Sequence, residues 1–155
     1  MTSNKLLQSR MRLAALIYLL LFISVASAGP GSTASANPDF AAAREAVEAY
    51  FRAADSGRAD SVRNVFHPAG RVEGVQRGTF VSWSADEFAT RNFKGEPPAS
   101  AATIQRTIEW LDLSGPGAVA RVTIKIGADN TYTDYFILFK VDGAWKVGLK
   151  AFANP

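Results

Sequence analysis

The chain has no cysteine, so disulfides, thiolate metal sites and thiol nucleophiles are excluded at the outset. It has a single histidine, His67, and one imidazole without a carboxylate pair at ligand spacing makes a poor metal centre. A basic surplus is missing where it would count. Seventeen Lys and Arg stand against 14 Asp and Glu, but Lys5, Arg10 and Arg12 carry the whole excess, and from Asn37 onward the two signs balance. A nucleic-acid partner is therefore not expected, because phosphate binding needs net positive charge on the folded domain. The longest apolar run, 13–25, is interrupted only by Ser24 and has 13 residues, whereas a membrane-spanning helix needs about 20. There is no Gly-rich phosphate loop, no Ser/His/Asp series and no pair of catalytic carboxylates, and no cofactor is implied.

What is present is one domain's worth of chain: 155 residues, 48% apolar and 20% charged, a globular composition. The basic start, the apolar run and Ala26-Ser27-Ala28 read as a signal peptide over 1–28, with a second small-residue site at Ala34-Ser35-Ala36 that allows cleavage as late as 36. Residues 29–37, rich in Gly, Pro and Ser, read as a linker, and 38–155 as the domain. With no Cys to carry a lipid, the expectation is a secreted or periplasmic protein without a stable membrane anchor after cleavage.

Asn37-Pro38 has the form of an N-cap with Pro at the first helical position, and Phe40, Ala43, Val47, Tyr50, Phe51 and Ala54 follow at steps of three and four. Ser56-Gly57 closes this helix. A shorter helix places Val62, Val65 and Phe66 on one face and stops before Pro68, with His67 at the stop. Segments 71–75 and 79–83 read as strands around a Gly78 turn, and Ser84 with Glu87 forms a capping box that opens a third helix through Phe88. Runs 103–113, 118–126 and 131–141 are strands, and Asp142-Gly143 makes a two-residue hairpin into 144–152. The fold class is α+β: three helices packed on a curved antiparallel (mixed) sheet.

Strict alternation away from that hairpin puts Trp145, Val147, Leu149 and Ala151 on one face with Lys140, Leu138, Phe136 and Asp134, facing the helices. The other face then carries Thr133, Tyr135, Ile137, Phe139, Lys146, Lys150 and Phe152, too apolar for a wholly solvated surface. A homodimer through this sheet face is the expectation. Arg106 shares a side of its strand with Ile104, Ile108 and Trp110, and is the expected partner of Asp134.

The segment Tyr50-Phe51-Arg52-Ala53-Ala54-Asp55-Ser56-Gly57 through Val65-Phe66-His67-Pro68, with the hairpin Tyr132-Thr133-Asp134-Tyr135-Phe136 to Gly143-Ala144-Trp145-Lys146-Val147, resembles the nuclear transport factor 2-like superfamily. The likeness is closest to its "putative lumazine-binding" branch and covers the chain after Asn37. It implies the cone-shaped fold of the SnoaL and ketosteroid-isomerase proteins, which hosts enzymes, binders and dimerisation modules alike. By likeness to the ketosteroid isomerases, the oxyanion tyrosine falls on Tyr50, the protonated aspartate on Asp134, and the general-base aspartate on Gly74. The oxyanion pair is thus retained and the base is absent. Glu73, one position away, points to the opposite face of its strand.

Candidate ligand-binding residues are Tyr50, Trp83, Phe88, Arg106, Trp110 and Asp134; candidate catalytic residues are Tyr50, Asp134 and His67. Two readings of Asp134 and Arg106 stand side by side, a structural ion pair and a polar pocket floor. The leading expectation is an exported protein that binds a small molecule in an apolar pocket. The alternatives are an isomerase or dehydratase acting next to a carbonyl with His67 as base, and a purely structural dimerisation module.

Overall fold

A computed structural model of the chain describes residues 37–128 and 130–154. The leader and most of the linker lie outside the described residues. Helix α1 (Pro38–Asp55) begins as its sequence predicts: the Asn37 side chain accepts the Asp39 N–H at 2.9 Å, and Pro38 occupies a position whose N–H has no helical acceptor. Its buried face is Ala43, Val47, Tyr50, Ala53 and Ala54. Gly57 ends it at φ 67°, and its carbonyl accepts the Gly95 N–H at 2.9 Å, which stitches the helix end to the loop after the third helix. A Cβ on Gly57 would lie 1.7 Å from the Glu96 carbonyl oxygen, so glycine is required there for both conformation and space.

Helix α2 (Ala59–Val65) is shorter than expected. Phe66 is already extended, at φ −85° and ψ 155°, and opens strand β1 (Phe66–Gln76). Pro68 keeps His67 out of the helical region, and the extended conformation runs back one residue further. His67 is consequently a strand residue rather than a helix end. Arg77 and Gly78, both at positive φ, turn β1 into β2 (Thr79–Ser84). Helix α3 (Ala85–Asn92) starts on the expected capping box, in which Ser84 Oγ accepts the Glu87 N–H and the Glu87 carboxylate accepts the Ser84 N–H. These bonds hold the Glu87 carboxyl below the usual carboxylate range.

Strands β3 (Ile104–Ser114), β4 (Gly117–Ile126), β5 (Asn130–Val141) and β6 (Ala144–Asn154) complete one six-stranded sheet in the order β2-β1-β6-β5-β4-β3. All neighbours are antiparallel except β1 and β6, so the sheet is mixed. The helices pack on one face, over a core in which Val47, Val62, Val72, Val122, Phe136, Leu138 and Val147 are fully buried.

Two inserted residues overturn the strict alternation. On β6, Val147 opposes Leu138 and Leu149 opposes Ile137, so Gly148 is an extra residue in the ladder. Trp145 and Val147 face inward before it, and Lys150 and Phe152 face inward after it. Leu149 and Ala151, expected among the helices, point the other way. On β3, Ile108 opposes Val122 and Trp110 opposes Arg121, which leaves Glu109 unpaired. Trp110 is therefore turned out to 43% exposure, while Leu111 and Leu113 take over the inner side.

Gly57→Ala should lower stability by about 2–4 kcal/mol, from the positive φ together with the clash against the Glu96 backbone. Urea unfolding of the variant measures it.

Candidate functional site

Inside the sheet, the bulge at Gly148 sets the charges. Lys150 opposes Phe136 and Phe152 opposes Asp134, which makes Lys150 and Asp134 diagonal neighbours on one face. Lys150 Nζ lies 2.7 Å from Asp134 Oδ2, and the two side chains are 8% and 5% exposed. Arg106 is not the partner of Asp134. It opposes Ile124, two strands from Asp134 and out of register with it. Its guanidinium instead grips Asp55 at the end of α1, Nη1 to Oδ2 and Nη2 to Oδ1 both at 2.8 Å, and lies 5.5 Å from the Phe51 ring centre.

Tyr50 sits near both ion pairs, its ring against Phe136 at 5.1 Å and Phe66 at 5.9 Å between centroids. Burial, then the Asp134 carboxylate, push its phenol well above the usual value, and Arg106 offsets only part of this. Tyr50 is a neutral hydroxyl at any working pH.

A cavity of about 390 Å³ opens between β1, β2, α3 and β6, lined by Gln76, Trp83, Phe88, Arg91, Asn92, Lys150 and Phe152. Three of its seven lining residues are aromatic, and the other four are polar or charged. Trp83 stacks on Phe152 with 6.2 Å between centroids at 14°, and on Phe88 at 6.3 Å and 28°. Lys150 Nζ lies 5.0 Å from the Phe152 ring centre and 5.9 Å from that of Phe88. Asp134 reaches this cavity only through Lys150.

Of the residues singled out from sequence, Trp83 and Phe88 line this cavity, while Trp110 stands on the outer face and Tyr50 and Arg106 lie apart from the lining. His67 borders a different cavity, of about 380 Å³, with Arg63, Asn64, Phe66, Pro68, Ala85, Asp86 and Lys146. Its Nδ1 accepts the Ala69 N–H at 3.1 Å. His67 and Lys150 thus serve separate openings. At Gly74, a Cβ would lie 2.1 Å from the Phe152 carbonyl oxygen and 2.8 Å from its ring, so the position aligned with the isomerase base has no room for a side chain. Among the described residues, no group of three His, Asp or Glu converges as metal ligands would.

Lys150, Phe152, Gln76, Arg91 and Asn92 are the lining residues that sequence reasoning missed. The available signal was Gly148, since a lone glycine within a strand marks a bulge or a close approach. Here it marks both, for the Phe139 ring comes within 2.6 Å of where its Cβ would stand.

Comparison with known proteins agrees with this architecture. The family described as "Putative lumazine-binding" matches residues 38–153. The chain belongs to this family. Its fold is that of nuclear transport factor 2-like proteins of unknown function, such as those from Shewanella baltica OS155 (TM-score 0.63, 21% identity, covering 74% of this chain and 91% of that one) and Methylobacillus flagellatus KT (TM-score 0.62, 26% identity, 74% and 90%). A de novo designed protein with a curved β-sheet also matches, at TM-score 0.53 and 16% identity over 72% of this chain and 99% of that one. Family membership therefore carries the fold and leaves the chemistry to the cavity. Among characterised proteins, Aldolase FrzH of Cladobotryum sp is 24% identical over 104 residues, covering 66% of this chain and 81% of that protein.

Lys150→Met should lower the unfolding free energy by about 3–5 kcal/mol, because it strands a buried carboxylate. Adding Asp134→Leu should recover part of that loss. A denaturant double-mutant cycle reads the coupling, and strictly additive losses would show that the pair is not coupled.

Proposed function

We propose that the protein is an exported binder of a small, flat organic molecule, held in the cavity between α3 and the β1/β6 seam. The observation that carries this reading is a stack of three aromatic rings, Trp83, Phe88 and Phe152, around one buried ammonium, Lys150. Aromatic walls reward a planar ring, and a few fixed polar groups orient it. Gln76 and Asn92 offer amide groups at the rim, and Arg91 a guanidinium. The family's name makes lumazine, a fused bicyclic ring with amide edges, the first compound to try. Export rests on the leader read from 1–28.

Native mass spectrometry of the mature protein, purified gently from the exported compartment, should find a retained small molecule. Lumazine and similar planar rings should quench tryptophan fluorescence, and Trp83→Leu should weaken their binding about 3–10-fold. An empty protein that no planar ring quenches would leave a scaffold without a ligand.

Turnover next to a carbonyl is the second reading. The likeness to an aldolase favours it, as does the neutral Tyr50 hydroxyl beside the Asp134–Lys150 pair. The separate cavity at His67 and the filled space at Gly74 argue against a proton abstraction of the ketosteroid-isomerase kind.

The protein's partner, in the same proposal, is a second copy of itself. The outer sheet face exposes Trp110, Tyr135, Ile137 and Phe139, flanked by Arg121 and Asp112, which make no ion pair within the described residues. A two-fold related copy offers each of these charges its opposite while covering the apolar centre. Ile137→Glu together with Phe139→Glu should convert a dimer into a monomer on size exclusion; a wild-type chain that already elutes as a monomer would refute the proposal.

A further inference from the structure

We propose that Lys150 is a covalent residue, one that forms a Schiff base with a planar aldehyde or ketone held in the aromatic cavity. The inference rests on the binding reading above and names the class of molecule bound. Three observations converge on it. Lys150 lines an open cavity, yet its side chain is only 8% exposed and its ammonium lies 5.0 Å from the Phe152 ring centre and 5.9 Å from that of Phe88. It has three N–H donors, and among the described residues its one oxygen partner is Asp134, so a ligand oxygen has donors to meet. Stability alone does not account for the arrangement, because a buried ion pair adds little over apolar residues of the same volume, and here a strand carries an extra residue to aim the lysine inward.

The carboxylate 2.7 Å away supplies what the chemistry needs, an acceptor for the proton that the amine must shed before it attacks. Lys150 passes one proton to Asp134, and its nitrogen lone pair forms a bond to the carbonyl carbon. The C=O π electrons move to oxygen, which takes the proton back from Asp134 and gives a carbinolamine. Asp134 then removes a proton from the carbinolamine nitrogen and delivers it to the hydroxyl, which leaves as water while the nitrogen lone pair closes the C=N bond. The sum is one ammonium and one carbonyl converted to one protonated imine and one water, with no redox partner required. A conjugated, planar carbonyl compound is selected because its ring lies against Trp83 and Phe152 while its carbonyl meets Nζ.

The test treats the folded full chain with 2-naphthaldehyde, then sodium cyanoborohydride, and reads the adduct by intact mass and peptide mapping. The expected result is one dominant adduct on Lys150, formed about tenfold or more faster than on exposed lysines such as Lys94 and Lys125. Lys150→Arg keeps the cation opposite Asp134 and should abolish that adduct with the fold intact by circular dichroism. Asp134→Asn, checked for folding in the same way, should slow it about tenfold or more. Labelling spread over the exposed lysines with Lys150 unmodified overturns the inference. If Lys150 is unmodified but 2-naphthylmethanol still quenches Trp83, binding stands and the covalent step alone falls. If neither occurs, the binding reading falls with it.

Discussion

The reversal of side-chain direction at Gly148 governs what the sheet encloses. An antiparallel ladder keeps each side chain on the face its parity assigns, and one unpaired residue exchanges the two faces for everything beyond it. Before the insertion, β6 contributes Trp145 and Val147 to a conventional apolar core; after it, Lys150 and Phe152. Phe152 then stacks on Trp83 and fills the space beside Gly74, while Lys150 finds Asp134. Had the strand kept its parity, the cavity would have neither its floor nor its charge, and Asp134 would be a buried carboxylate without a partner.

Two separate ion pairs follow, and they differ in character. Arg106 and Asp55 form an ion pair between β3 and the end of α1, with one hydrogen bond from Nη1 to Oδ2 and Asp55 partly in water. Such a contact ties an edge strand to a helix and fixes how the sheet curls over it. Lys150 and Asp134 are both dry and both belong to the sheet, so they tie no new elements together. The first pair is explained by architecture. The second joins neighbouring strands that the sheet's own hydrogen bonds already hold, and its lysine lies at the wall of a cavity.

Legibility in the sequence tracked how local the controlling physics was. Asn37 before Pro38, Ser84 before Glu87, and Asp142-Gly143 each act within four residues, and each element they predict begins or turns where expected. Trp83 and Phe88 flank the Ser84 cap and border the cavity. Facing was not legible beyond a bulge, because an alternation count cannot register an inserted residue. At Gly148 the glycine was a usable sign; at Glu109 nothing in the residue type betrayed the insertion, and Trp110 was assigned to the wrong side. Pairing of charges failed by the same route. Arg106 was the visible cation opposite Asp134 only so long as Lys150 was counted on the outside.

The parallel seam between β1 and β6 joins strands whose paired residues, such as Phe66 and Val147, are about eighty positions apart. Antiparallel hairpins such as β1 with β2, or β5 with β6, close over a few residues, whereas this seam closes a loop of about eighty and carries the larger entropic cost. The cavity straddles it, with Gln76, Trp83 and Phe88 from the earlier half and Lys150 and Phe152 from the later. Assembly of the two hairpin halves can therefore run far towards completion without any cavity existing. The Trp83–Phe152 stack spans the seam, and it reports joining of the two halves rather than formation of either.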